Sequence, residues 1–225
     1  MGYESLTIRQ AIRGINHRFF LPSLQREFVW KQNQIIRLFD SIMREYPISS
    51  FLFWRPDSST TKGWASYKFL EEIKDGGSHN AAANLGGVNR PVFVLDGQQR
   101  LTALNIGLRG IYRAKEKYKW RNNPDAYRPT RLFIDLIRKN VGTEEEGGEA
   151  RTYFQFSFIE KPPLPTKKSC WFEVGKILKC PTKNKLDIQI RAALGSLPGS
   201  ASQIARESVK QTLRDLQKSI FLTPT

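Results

Sequence analysis

The sequence is poor in the two residue types that build most metal sites in proteins. It contains only two histidines, His17 and His79, and two cysteines, Cys170 and Cys180. Neither pair has the spacing of zinc ligands, and no Cys-x-x-Cys motif occurs. This scarcity excludes a disulfide-rich scaffold, a histidine-based metallohydrolase and a nuclease finger that needs several histidines. The two thiols can be a reduced pair, a disulfide or unrelated.

Long apolar stretches are also missing. No window approaches the roughly eighteen uninterrupted apolar residues of a membrane-spanning helix. The N-terminus, MGYESLTIRQAIRG, does not place an apolar segment after a positively charged one, as a secretory signal does. We therefore expect no membrane partner and a cytoplasmic location.

Acidic residues are few relative to basic ones. The 225 residues include 36 Lys and Arg against 21 Asp and Glu, which gives a formal charge of +15 and a pI near 10.0. Such an excess favours a polyanionic partner through phosphate contacts and counterion release. The alternative is that basic runs, such as residues 165–171 and 179–185, only solvate the surface.

Hydrophobic periodicity predicts alternating helices and strands, and hence an α+β fold with a mixed α/β body and a helical C-terminal part. Helices are predicted at residues 5–14, 33–46, 98–118, 174–179, 184–194 and 203–221. Strands are predicted at residues 48–54, 91–95, 131–137 and 152–159, and residues 19–30 read as an extended segment.

The same patterns predict two domains. Residues 1–165 form the first, with a flexible loop at about 57–89 and a short strand or helix around 64–73. Residues 166–225 form a helical segment. The sequence ends in FLTPT, shortly after a predicted helix, which indicates a fragment of a longer protein whose helical region is truncated here.

A polar turn, Asp96-Gly97-Gln98-Gln99-Arg100, separates a predicted strand from an apolar helix. One interpretation is purely structural. Asp96 would be the N-cap, Gly97 and Gln98 the first two helical positions, and Gln99 the third, which completes a capping box.

Capping does not account for Arg100. A cation in the first helical turn faces the positive end of the helix dipole, at a cost of ~0.3–1 kcal/mol. Exposed backbone N–H groups, a glycine and an arginine fork together form an anion site, so a bound phosphate would offset that cost. Asp96 would then be free to hold a magnesium ion or to orient a water molecule.

A second polar pair, Gln25 and Arg26, interrupts the apolar segment of residues 19–30. It is either the solvated face of an edge strand or part of the same pocket as Arg100. Sequence spacing alone does not decide between them.

Three segments in this order carry a family resemblance: LPSLQREFVW at 21–30, IIRLFDSIMREYPISSFLFW at 35–54 and FVLDGQQRLTAL at 93–104. They resemble the N-terminal domain of the GmrSD-type, modification-dependent restriction endonucleases, which is related to the ParB/sulfiredoxin fold. The resemblance is good over residues 5–110, and its most specific element is the Asp-Gly-Gln-Gln-Arg motif.

The resemblance implies a phage-defence protein whose N-terminal domain binds and hydrolyses a nucleoside triphosphate, GTP or ATP, with Mg²⁺. In some members this domain also senses modified DNA, and a separate C-terminal HNH-type nuclease domain cleaves it. By position, the catalytic residues would be Asp96, Gln99, Arg100 and Gln25, with Asp96 also as the magnesium ligand. The nucleotide-binding residues would be Gly97, Gln98, Arg100 and Arg26, and the DNA-sensing residues Pro22, Leu24 and Arg26.

The sequence departs from the family in two ways. It has no HNH nuclease motif, and the later Phe-x-Arg-x-Asn segment of the family is missing. Both departures agree with an N-terminal fragment. Two other functions stay open: a non-enzymatic module that binds modified DNA, and a structural domain of a larger assembly or oligomer. The sequence does not identify the nucleotide, the DNA modification or the oligomeric state.

Overall fold

The computed structural model describes residues 4–23, 27–57, 64–75, 77–116, 118–120, 123, 126–140 and 152–222. Within these residues the chain forms α-helices and two mixed β-sheets, so the predicted α+β class is confirmed. The helices are α1 (Ile8–Gly14), α2 (Gln32–Met43), α3 (Gln98–Leu108), α4 (Lys183–Ser196) and α5 (Gln203–Phe221). The strands are β1 (Phe19–Pro22), β2 (Leu52–Trp54), β3 (Ser66–Tyr67), β4 (Glu72–Lys74), β5 (Val92–Asp96), β6 (Ile111–Lys115), β7 (Tyr127–Lys139), β8 (Phe154–Ile159) and β9 (Trp171–Glu173). A 3-10 helix covers Val174–Lys179.

The first sheet has the strand order β2-β5-β1-β3. Strand β5 runs parallel to β1 and antiparallel to β2, and Leu52 is opposite Asp96. The sequence predicted a buried strand over residues 48–54. That prediction is wrong in extent and burial, because β2 is an edge strand of three residues in which Leu52 is exposed and the next two residues are half-buried. Phe53 and Trp54 are successive residues, so they cover opposite faces of the sheet.

The second sheet has the order β4-β6-β7-β8, and β9 also pairs with β7. Strand β7 is long enough to pair first with β6 and then with β8 and β9. In β8 the predicted alternation holds at the start of the strand: Phe154 and Phe156 are buried and Gln155 is half-buried, whereas Phe158, also predicted to face the core, is only half-buried. Strands β3 and β4 lie within residues 57–89, which agrees with the short element predicted around 64–73; the flexibility of that region stays a prediction.

Helix α3 is shorter than the sequence predicted. The expected helix over 98–118 ends at Leu108, and Ile111–Lys115 instead forms β6 between β4 and β7. Gly110 makes this change possible, because a Cβ atom there would lie 2.6 Å from the backbone oxygen of Glu71. The β-branched and aromatic residues that follow then gain ladder hydrogen bonds on both sides.

The remaining part of α3 is the central helix of the fold. The sequence predicted one core-facing stripe through Leu101, Leu104, Leu108 and Ile111. Ile111 instead begins β6, and every residue from Leu101 to Leu108 is buried. A helix that is enclosed on all faces needs packing partners all round it. Helices α1 and α2, the second sheet and the 3-10 helix provide them, so the start of α3 is held rigidly by the core.

The C-terminal helices pack on the same core. Leu186 of α4 and Leu213 of α5 belong to one hydrophobic cluster with Ile35 of α2 and Leu104 of α3. The hydroxyl of Thr212 also donates to the backbone oxygen of Leu136 in β7 at 3.2 Å. The helices predicted in the C-terminal segment are thus observed, together with β9, which was not predicted, and the division at residue 165 stays a prediction.

Candidate functional site

The Asp-Gly-Gln-Gln-Arg motif forms a tight strand-to-helix turn. Asp96 is the last residue of β5, Gly97 is the N-cap of α3 in the left-handed conformation (φ +85°), and Gln98 is the first helical residue. The predicted Asp96 cap and its capping box are therefore wrong, because the helix starts one residue later than expected. The Asp96 side chain is 72% exposed and stays available to solvent or ligand.

Gly97 is required at this turn for two physical reasons. Its positive φ is one that L-residues with a side chain adopt only at a cost. In addition, a Cβ atom at this position would overlap the ring of Phe51. The absence of a side chain lets the turn pack against that ring, and no side chain caps the first-turn N–H groups of α3.

Gln98 folds back onto the strand that precedes it. Its Nε2 donates to the backbone oxygen of Val94 at 2.8 Å. The Gln98 backbone oxygen in turn accepts from the hydroxyl of Thr102 at 2.8 Å. Gln98 therefore fixes the angle between β5 and α3.

Gln99 joins the turn to a distant segment. Its Nε2 donates to the backbone oxygen of Glu27 at 2.9 Å, and its Oε1 accepts from the backbone N–H of Val29 at 3.1 Å. This paired contact resembles one rung of a β-ladder. It holds the residues that directly follow Gln25 and Arg26 against the start of α3.

Arg100 is held by groups of the protein itself. Its Nη1 donates to the backbone oxygen of Ile48 at 2.5 Å, its Nη2 lies 3.4 Å from Asp96 Oδ2, and its guanidinium lies 5.1 Å from the ring centroid of Phe51. The side chain is only 18% exposed. A carboxylate and a carbonyl of the protein thus offset the unfavourable helix dipole. Phosphate binding by Arg100 stays a prediction.

Three stretches of sequence therefore meet at the start of α3. Gln99 binds the segment at 27–29, and Arg100 binds Ile48 and lies 3.4 Å from Asp96 at the end of β5. Sequence spacing could not predict this meeting, because the partners are more than 50 residues apart. The long-range hydrogen bonds of two side chains create it.

Some predicted site residues are not at this surface. Pro22 is buried in β1, where it pairs with Ser66 of β3. Leu24, Gln25 and Arg26 lie outside the described residues, so their predicted roles stay predictions. The described residue Glu27 is fixed close to Gln99 by a hydrogen bond to its backbone oxygen.

His79 was not expected at this site. Its Nδ1 lies 2.9 Å from Glu27 Oε1, and both side chains are largely exposed. Because the backbone oxygen of Glu27 binds Gln99, the glycine-rich segment that carries His79 borders the turn. In the sequence His79 is one histidine in a loop, and such a residue gives no signal that it would contact Glu27.

Metal-binding groups are sparse here. In the described ranges no group of three or more His, Cys, Asp or Glu side chains could hold a metal ion. Cys170 and Cys180 are both buried free thiols. A magnesium ion bound at Asp96 would depend on phosphate oxygens and water for its other ligands, which is the usual coordination of Mg²⁺ with nucleotides.

The whole chain was compared with known families and proteins. Residues 8–217 match the family described as GmrSD restriction endonuclease, N-terminal domain. The chain belongs to this family. A search of curated proteins finds no significant match.

Membership of the GmrSD N-terminal family places the chain among components of restriction and defence proteins, whose target is DNA. The match extends well beyond the resemblance at 5–110 and includes α4 and most of α5. The C-terminal helices are thus part of the family domain. No helix in the described part of the chain has the length and apolar character needed to cross a membrane.

Proposed function

We propose that the start of α3 binds the phosphates of a nucleoside triphosphate and that the domain hydrolyses this nucleotide to regulate restriction of modified DNA. The observation that carries the proposal is the meeting of three motif segments at the first turn of α3. That turn presents unpaired N–H groups beside Gly97, an exposed Asp96 carboxylate and the guanidinium of Arg100.

Each group has a defined task. The first-turn N–H groups and the helix dipole would bind phosphate oxygens, as helix N-termini do. Arg100 uses Nη1 and Nη2 in its present contacts, and a guanidinium has five donors, so it can also contact a phosphate oxygen. It would stabilise negative charge that develops on the transferred group.

Asp96 would hold Mg²⁺ together with phosphate oxygens, and the ion would neutralise phosphate charge when it is bound. Gln25 would orient the attacking water, and Arg26 would contact phosphate.

In the reaction, water attacks the γ-phosphorus, the bond to the β–γ bridging oxygen breaks, and the products are a nucleoside diphosphate, inorganic phosphate and a proton. Leu24 would belong to the surface that senses modified DNA, and a separate HNH-type nuclease domain would cleave this DNA.

Helix α3 offers a matched pair of arginines for the test. Arg100 at its start and Arg109 just after its end each donate from Nη1 to a backbone oxygen, of Ile48 and Ile12 respectively. The variants Arg100→Ala and Arg109→Ala should lose similar stability. Only Arg100→Ala should lose nucleotide affinity and phosphate release, measured by calorimetry and a phosphate assay with Mg²⁺.

Asp96→Asn serves as a second variant that should fold normally, since the side chain is largely exposed. It should raise the Mg²⁺ concentration needed for half-maximal phosphate release, because the ion loses a charged ligand. Unchanged affinity and hydrolysis in folded Arg100→Ala would show that the proposal is wrong.

The charge of +15 favours a second function, a DNA-binding module that does not hydrolyse nucleotide. In that case the arginines grip backbone phosphates, and affinity falls steeply with salt. Fluorescence anisotropy with modified and unmodified duplexes at two salt concentrations separates the two functions. Tight, salt-dependent DNA binding without any nucleotide binding would favour the module.

A further inference from the structure

A cleft opens close to the start of α3, on the side of α2. It has a volume of about 610 Å³, within the range of ~300–1,000 Å³ typical of small-molecule sites. One wall is the first turn of α2, with Lys31, Gln32 and Asn33. The opposite wall is formed by the ends of β4 and β6, with Asp75, Tyr112 and Lys115. None of these residues belongs to the motif segments that meet at Arg100.

The cleft carries a net positive charge. Lys31 and Lys115 face one carboxylate, Asp75. That carboxylate is already engaged, since its Oδ1 accepts from the hydroxyl of Tyr112 at 2.6 Å and its Oδ2 accepts from the backbone N–H of Lys115 at 2.9 Å. Helix α2 also has no acidic residue in its first turn, so its positive end is not neutralised from within the helix.

The floor of the cleft is fixed. Burial, and then the hydrogen bond and charge of Asp75, raise the pKa of Tyr112 above its ordinary value. Tyr112 therefore stays a neutral hydroxyl that holds Asp75 between β4 and β6. Asp75 follows β4 and binds Tyr112 and Lys115 of the parallel strand β6, so this wall of the cleft is anchored to the second sheet.

The cleft and the motif turn are close to each other. Val29 is bound to Gln99 through a 3.1 Å hydrogen bond, and Lys31 follows Val29 by two residues. Because two residues span at most about 7 Å, the first turn of α2 begins within about 10 Å of the Gln99 amide. A nucleoside triphosphate is longer than this separation, so one molecule can contact both places.

We propose that this cleft receives the base and ribose of the nucleotide whose phosphates lie at the start of α3. The inference rests on the function proposed above. Asn33 and Gln32 present amide groups that can pair with the polar edge of a base, and Lys115 presents a donor from the opposite wall. Lys31, at the mouth nearest Gln99, contacts the phosphate chain. The cleft thus selects a nucleoside triphosphate over free phosphates.

The test compares a nucleoside triphosphate with inorganic triphosphate, each measured by calorimetry with Mg²⁺ on the intact chain. Lys115→Ala and Asn33→Ala should weaken the nucleotide roughly tenfold, as the loss of one hydrogen bond to a ligand does, and change inorganic triphosphate less than about twofold. Arg100→Ala should weaken both ligands. Lys210→Ala is the matched control, because this partly buried lysine lies on α5 outside the cleft.

Three results overturn the assignment. If the cleft variants keep wild-type nucleotide affinity while Arg100→Ala loses it, the nucleoside lies elsewhere and the phosphate site stands. If the cleft variants weaken both ligands equally, the cleft holds phosphates instead. If the wild-type chain binds neither ligand, the proposed function fails and the inference fails with it.

Discussion

Gln99 and Glu27 are 72 residues apart in sequence, and the Gln99 side chain donates to the Glu27 backbone oxygen at 2.9 Å. The same side chain accepts from the N–H of Val29. A glutamine in the first turn of a helix thus acts as a partner for an irregular segment. This contact brings the region after Gln25 and Arg26 to the motif turn, and the candidate site depends on it.

Gln99→Ala should loosen the segment at 27–31. Both hydrogen bonds disappear, and the loss of ~1 kcal/mol corresponds to about fivefold faster amide exchange there. Hydrogen exchange followed by mass spectrometry measures it. Gln203→Ala, at the exposed first position of α5, is the control and should change nothing at 27–31. Unchanged exchange in Gln99→Ala would mean that other contacts hold this segment.

Gly97→Ala should destabilise the fold by about 2–4 kcal/mol. A residue with a Cβ atom adopts the left-handed backbone conformation only at a cost in free energy, and the new Cβ must also displace the ring of Phe51. Gly195→Ala is the matched control, because its Cβ meets no atom within 4 Å in α4. That variant should gain about 0.5–1 kcal/mol from helix propensity. Urea midpoints measure both, and equal shifts in the same direction would refute the special role of Gly97.

Asp135 should tolerate Asn far better than Ala. Its Oδ1 accepts from the backbone N–H groups of Ile137, Arg138 and Cys170, and its Oδ2 accepts from the hydroxyl of Ser169 at 2.7 Å. The side chain is 1% exposed. Asp135→Ala leaves these donors unpaired and should cost about 3–5 kcal/mol.

Asp135→Asn keeps the oxygen that faces the three N–H groups, and its amide can donate to the Ser169 hydroxyl, so about 1–2 kcal/mol is expected. Urea unfolding compares the two variants. If both lose the same free energy of unfolding, the hydrogen bonds at Asp135 are not what stabilises this junction of β7 and β9.

The two buried thiols should make stability fall in mildly alkaline solution. Burial raises the pKa of Cys170 and of Cys180 above the ordinary value of 9.0. Near and above pH 9 the unfolded chain therefore releases thiol protons that the folded chain retains. The unfolded state then binds fewer protons, so the free energy of unfolding decreases as pH rises, and below about pH 8 the thiols contribute no slope.

The double variant Cys170→Ala/Cys180→Ala tests this pH dependence. Between about pH 7.5 and 9.5 it should lose less stability than the wild-type chain. Urea unfolding at the two pH values, under reducing conditions, provides the comparison. Parallel losses in both proteins would assign the alkaline slope to other groups.

Some elements were predictable because local pattern and tertiary environment agree. The apolar face of α2 and the alternating phenylalanines of β8 have the periods of a half-buried helix and strand, and both formed as expected. The prediction of one long helix over 98–118 was wrong beyond Leu108, because strand pairing there outweighs the local helix propensity. Ile111–Lys115 lies between β4 and β7, and periodicity within one segment cannot report a partner strand.

The sequence by itself determined the class of fold, the family and the polar turn that follows β5. These features depend on residues adjacent in the chain, so pattern and motif are enough to read them. Only the tertiary structure decided that Gly97 rather than Asp96 caps α3, that Arg100 is satisfied by Ile48 and Asp96, and that Gln99 binds Glu27. Each of these depends on where the packed core places a distant backbone group, and spacing along one chain does not encode that distance.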